Sequence, residues 1–190
     1  MGRPLFWLLF VGIIAAFPVI RALRVTLPPR LPVLGELAPF SLEDQQGHRW
    51  GSTQLAGRAW VADFVHTGCA KSAITAERMR SIQHRARNLG DGLHLVSFTI
   101  ASASDNQAVR LEWARAHAAN PRVWAFVGGE GGPVDAAVRG LGGPPPGSCA
   151  VSELVLLDGR SRIRGRYPPD DPGALDRLLR DAGLLINRGD

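Results

Sequence analysis

Along this chain the spacing of apolar positions changes several times, and each change marks a predicted element. From Trp60 to Val65 the chain alternates. Trp60, Ala62 and Phe64 share one face and Val61, Asp63 and Val65 the other, a period of two that predicts a strand. After Thr67-Gly68 the spacing turns helical, with Ile74, Met79 and Ile82 near one stripe as far as Ala86, and the helix closes near Asn88-Leu89-Gly90. Residues 93–100 read as a second long strand. A helix follows over residues 106–119 with Asp105 as its N-cap, then a strand at 123–127 and a short helix at 134–141. The GGPPPG run at 142–147 fits neither a helix nor a central strand. A strand at 151–157, a turn at Asp158-Gly159, a strand at 162–166 and an amphipathic helix over 172–185 complete the pattern.

The chain before Trp60 reads differently. Residues 5–20 are apolar throughout, with Arg3 before them and Arg21, Arg24 and Arg30 after. That run is near the lower bound of about 17 residues for crossing a bilayer. We read residues 1–24 as an uncleaved membrane anchor. A signal peptide is the second choice, because its best small-residue cleavage site, around Ala15-Ala16, is followed by Phe17-Pro18. A core helix would keep a polar face. Residues 25–39 hold four prolines, and the stretch 25–36 reads as an extended spacer. Residues 37–190 form one domain, opening with a short strand, a turn at Gln46-Gly47, a strand at Arg49-Trp50 and a helical turn at 52–55.

Composition narrows the classes. Of the 190 residues 45% are hydrophobic and 21% charged, which fits a folded protein and not a disordered one. The net charge is +5 and nearly all of the positive charge is arginine, Lys71 being the one lysine. The arginines are scattered over every element, and no basic helix is interleaved with stacking aromatics, so nucleic acid is not an expected partner. Two cysteines, Cys69 and Cys149, are too few for a disulfide scaffold, and no CxxC, HxxH or HExxH encodes a dithiol motif or zinc site.

The strand–helix–strand–helix–strand order, then a hairpin and a final helix, predicts an α/β domain whose mixed central sheet is flanked by helices. Cys69 opens the helix after the first long strand, where free backbone N–H groups and the positive helix end favour a thiolate. The Pro-rich loop before Cys149 approaches from a later strand. Together with the anchor this is a thioredoxin-like fold behind an N-terminal transmembrane helix.

Several motifs then fall in a familiar order. Phe64, Thr67 and Cys69 fit F-x-x-T-x-C; Asp105, after the 93–100 strand, fits the second aspartate of D-P-x-x-D-T-P; Trp124 with Gly128 in VWAFVGG resembles W-x-x-x-x-G, one residue closer than that spacing; and RIRGRY at 162–167 resembles the hairpin strand after a D-x-x-G turn. In these the chain resembles the Sco/SenC family from about Leu37 to the last helix. That resemblance implies a membrane-anchored, thioredoxin-like protein delivering copper to the binuclear copper site of cytochrome c oxidase. It also implies a place on the outer face of a bacterial inner membrane, with the domain in the periplasm.

The chain departs from the family at its metal ligands. The second cysteine of C-x-x-x-C falls on Ala73, and the proline after the first falls on Ala70. The first aspartate of the D-P motif falls on Ala101, and the family histidine falls on Ser148 or Ala150, two registers that bracket Cys149. We expect Cys149 to supply the sulfur that Ala73 cannot. Cys69 and Cys149, with His66, would suit Cu(I), a soft ion content with two or three ligands. If their Cα atoms lie within about 7 Å, the two could instead form a disulfide. The plain alternatives are that both cysteines are inert buried residues and His66 a loop histidine. Asp63 reads as a structural carboxylate bonded to a loop or an arginine, Thr67 as the hydroxyl that ties the Cys69 loop, and Lys71 as solvated. Three functions stay open: copper delivery through Cys69 and Cys149, a thiol oxidoreductase using Cys69, or a metal-free partner-binding relative.

Overall fold

In the computed structural model the described residues are 7, 10–17, 30–100, 106–129 and 132–188. The chain divides into two compact units, Met1–Arg30 and Leu31–Asp190. In the first, residues 10–17 are helical. Among the described residues no helix is long and apolar enough to cross a membrane; the expected anchor, residues 1–24, lies largely outside them.

The second unit is built on a six-stranded mixed sheet. Its strands are β1 (Gly35–Glu36), β4 (Ala59–Val65), β5 (Leu93–Thr99), β6 (Trp124–Val127), β7 (Leu154–Leu157) and β8 (Arg162–Tyr167), ordered β1-β8-β7-β4-β5-β6. β4, β5 and β6 run parallel, and β7, β8 and β1 complete the sheet antiparallel. A separate ribbon pairs β2 (Ser41–Glu43) with β3 (Arg49–Gly51), followed by the helical turn α1 (Ser52–Leu55). The longer helices are α2 (Ser72–Arg85), α3 (Gln107–Ala116), α4 (Gly132–Gly140) and α5 (Ala174–Arg188), with a 3₁₀ segment at Ala86–Gly92.

The period of two in β4 has the expected meaning, but neither face is wet. Trp60, Ala62 and Phe64 pack into one core with Val96, Phe98 and Val138, while Val61 and Val65 pack into the other with Met79, Ile82 and Leu178. Every residue of β4 and β5 is buried, as strands covered on both sides must be.

Several boundaries differ from the sequence reading, each for a physical reason. Residues 31–36, counted as spacer, include β1, which pairs with β8 through Gly35 and Ile163; two residues are too few to show a period. The helix expected at Asn106 begins at Gln107, and Asn106 itself caps it by accepting from the Val109 amide at 3.1 Å. Asp105, the expected cap, lies outside the described residues. β7 begins at Leu154 and not at Val151, so Cys149 sits well before it in irregular chain.

Candidate functional site

The site forms where β4 ends. Beyond Val65 the chain makes a tight turn in which the Cys69 amide donates to the His66 carbonyl at 2.9 Å and the Ser72 amide to the Cys69 carbonyl at 3.0 Å. The His66 amide donates to the Ser72 hydroxyl at 2.9 Å. Ser72, not Thr67, is therefore the hydroxyl that ties the Cys69 loop, and α2 begins at Ser72, so Cys69 lies in the turn before the helix and does not open it. Lys71 is exposed, as expected of a solvated lysine.

The second half of the site comes from the chain after α4. The helix ends in a Schellman motif. Gly142 adopts φ 69°, its amide reaches the Arg139 carbonyl at 2.9 Å, and the Gly143 amide reaches the Val138 carbonyl at 2.8 Å. Gly143 then passes directly against β4: a Cβ there would stand 2.6 Å from Phe64 Cε1 and 2.7 Å from Val138 Cγ1. Only a residue without a side chain lets the loop lie on the Phe64 ring. From there Pro144, Pro145 and Pro146 carry the chain to a turn closed by the Ser148 amide on the Pro145 carbonyl at 3.1 Å.

That turn delivers Cys149 to Cys69, and the two form a disulfide, with Cα atoms 5.6 Å apart across 80 residues of sequence. The two sulfurs expected to meet are thus brought together. The ends of the bridge are unlike: Cys69 is 4% exposed, whereas Cys149 is exposed.

His66 lies beside this bridge in sequence and on the same turn. Its imidazole stands over Gly68, where an added Cβ would be 3.3 Å from His66 Cε1. Its Nδ1 is buried and has no hydrogen-bond partner. Among the described residues no group of three His, Cys, Asp or Glu is gathered to hold a metal ion. Cys69, Cys149 and His66 therefore do not stand as one preassembled ligand set while the sulfurs are bonded to each other.

Asp63, two residues before the end of β4, does not meet the arginine or loop expected for it. It is fully buried, neither carboxyl oxygen makes a well-formed hydrogen bond among the described residues, and its register partner on β5 is Ser97. Burial pushes its carboxyl up to about 7; the Ser97 hydroxyl and the strand backbone offset only part of that. Ser97 in turn accepts from Trp124 Nε1 at 2.9 Å, so the tryptophan of the W-x-x-x-x-G motif is held inside the sheet.

Two features were not found by reading the sequence for chemistry. Ser72 was legible only as a polar residue three positions after Cys69, and Gly143 only as part of a run unfit for regular structure. The signal each carried was spacing relative to its cysteine.

Fold and site together define an α/β domain of thioredoxin-like class, with one disulfide joining the end of its central strand to a Pro-rich loop. A family model described as SCO1/SenC matches residues 34–139, more than half of the chain. The chain belongs to the SCO1/SenC family. It is 25% identical over 100 residues to the SCO1 protein homolog of Bacillus subtilis (strain 168), an alignment covering 52% of this chain and 51% of that protein. The chain thus spans about half the length of that relative. Among solved structures it is similar to BsSco, described as a Sco-family cytochrome c oxidase assembly protein with a disulfide switch. The TM-score is 0.70 at 17% identity, over 83% of this chain and 98% of that one. It is also similar to copper-bound ScoI of Bradyrhizobium japonicum, with a TM-score of 0.64 at 12% identity, over 80% and 99%. At these identities the structural likenesses speak for the fold.

Proposed function

We propose that this protein serves in assembling the copper site of cytochrome c oxidase, with Cys69 and Cys149 alternating between a disulfide and a dithiol that carries Cu(I). The observation that carries the reading is the bridge itself: the fold holds two sulfurs close enough to bond. Reduced and deprotonated, such a pair offers two soft donors, the minimum a Cu(I) ion needs. His66 Nδ1, buried on the same turn with no hydrogen-bond partner among the described residues, would be the third ligand. Copper here is cargo, accepted by the dithiol and excluded by the disulfide.

The same reading places the domain on the outer face of a bacterial inner membrane, tethered through residues 1–24, with the copper-site subunit of the oxidase as its acceptor. Family membership and the apolar run at 5–20 support that placement, and an oxidising compartment is where such a bridge persists.

The deciding experiment measures bound Cu(I) in the reduced and the oxidised protein. One ion per reduced chain, none per oxidised chain, and loss on Cys69→Ser or Cys149→Ser is the expected result. Reduced wild type that holds Cu(I) no better than the double serine variant would end the copper reading and leave a metal-free relative.

A further inference from the structure

The two ends of the bridge differ in a way that fixes the course of its chemistry. Cys69 is held inward by the His66–Ser72 turn at the end of a strand covered on both faces, and is 4% exposed. Cys149 hangs on irregular chain, with Gly147 and Ala150 exposed on either side. A Cβ placed on Gly147 would meet no heavy atom within 4 Å, so the space beside the loop is open. In thiol–disulfide exchange the incoming thiolate approaches one sulfur in line with the bond it breaks, and access decides which sulfur is attacked. Cys69, 4% exposed, offers an incoming thiolate little access, whereas Cys149 is exposed to solvent.

We infer that Cys149 is the exchanging cysteine and Cys69 the leaving and resolving one, and that the co-substrate is a partner dithiol that approaches from solvent. This rests on the reading that the pair cycles between disulfide and dithiol, and adds the direction of the cycle. A partner thiolate attacks Cys149 Sγ, a partner–Cys149 mixed disulfide forms, and the Cys69–Cys149 bond breaks with its electron pair leaving on Cys69 Sγ. The partner's second thiolate then attacks the partner sulfur of the mixed disulfide and expels Cys149 as thiolate. Two electrons pass from partner to chain, the two thiol protons end on Cys69 and Cys149, and the partner leaves as a disulfide. Run backwards, Cys149 attacks a partner disulfide and Cys69 resolves the adduct. The buried thiol on the strand side finishes the reaction that the loop cysteine starts.

The test uses the oxidised full-length wild type, so folding of a variant is not at issue. A synthetic peptide with a single cysteine is added in excess, the reaction is stopped with iodoacetamide, and adducts are mapped by mass spectrometry. The peptide is expected on Cys149 and the alkyl group on Cys69, by about tenfold or more over the opposite arrangement, because access governs attack. Adducts chiefly on Cys69, an even division, or no reaction would overturn the assignment. As a second measurement, Cys69→Ser should hold a lasting mixed disulfide with glutathione at Cys149. Copper loading of the reduced wild type separates the two ideas. Adducts on Cys149 without copper binding remove the copper reading and keep the polarity, and copper binding with adducts on Cys69 does the reverse.

Discussion

Asp63 of β4 and Ser97 of β5 stand opposite each other in the parallel register, and the serine oxygen accepts the Trp124 indole N–H at 2.9 Å. The carboxyl is buried in the sheet layer beneath the site, where Ser97 and the strand backbone offset only part of the cost of burying its charge, and it stays protonated up to about pH 7. The unfolded chain releases that proton near pH 4, so between about pH 4 and 7 the folded state binds the extra proton and stability falls as pH rises. Asp63→Asn should flatten that fall and make the protein more stable above pH 7, by up to about 4 kcal/mol at 1.36 kcal/mol per unit. Urea unfolding of both proteins at pH 5 and pH 8 checks this. Parallel losses in the two would show that Asp63 is not the group responsible.

The disulfide closes a separation of 80 residues. By loop-closure entropy, reduction should lower stability by roughly 4 kcal/mol, read as a drop in Tm on adding a reductant. An unchanged Tm would mean the bridge constrains nothing that packing does not already hold.

Gly143 lets the Pro-rich loop lie on Phe64. Gly143→Ala should force the loop away, cost roughly 1–3 kcal/mol through overpacking, and slow re-formation of the Cys69–Cys149 bond after reduction. Gly183→Ala, in α5, meets no neighbour and needs no left-handed backbone. Equal rates of disulfide recovery in the two variants would count against the close approach as what positions Cys149.

Asp158 is buried between Arg162 Nε at 2.8 Å and Arg164 Nε at 2.7 Å, and accepts the amides of Arg160 and Arg162. Burial pushes its carboxyl up, but those amides and guanidiniums pull harder and hold it below the usual carboxylate range. Its contribution is present above about pH 4 and is lost as pH falls through its lowered value. Asp158→Ala should cost roughly 3–5 kcal/mol at pH 7, since it takes the carboxylate from the buried Arg164 Nε and from the Arg160 and Arg162 amides. The difference from wild type should shrink on acidification, and a constant difference in unfolding free energy between pH 7 and pH 3 would contradict it.

If His66 completes the copper site, His66→Ala should weaken Cu(I) binding while keeping one ion per chain. Competition with a chromophoric Cu(I) chelator measures this. Unchanged affinity would leave the two thiolates as the whole site.

Most of the fold was legible in the sequence because β4 and β5 carry long apolar runs bounded by turn residues, and the helices carry stripes. β1 was not, since two residues held by pairing with Ile163 and Arg162 leave no pattern of their own. The site was half legible. Cys69 announced itself by position after a strand, and family motifs placed Cys149 near the missing histidine. The hydroxyl that ties the turn was assigned to Thr67, because nothing local separates it from Ser72; the choice is made by where the turn lets the His66 amide point. Asp63 reads from the sequence as a bonded carboxylate, since its burial opposite Ser97 is set by β5 and not by its neighbours in sequence.

The bridge between Cys69 and Cys149 has one more consequence. On the copper reading proposed above, the same two sulfurs either bond to each other or hold the ion, so the bridged form carries none. Loading would then need a reductant to open the bridge first, and giving up Cu(I) would leave a dithiol that only an oxidant closes again.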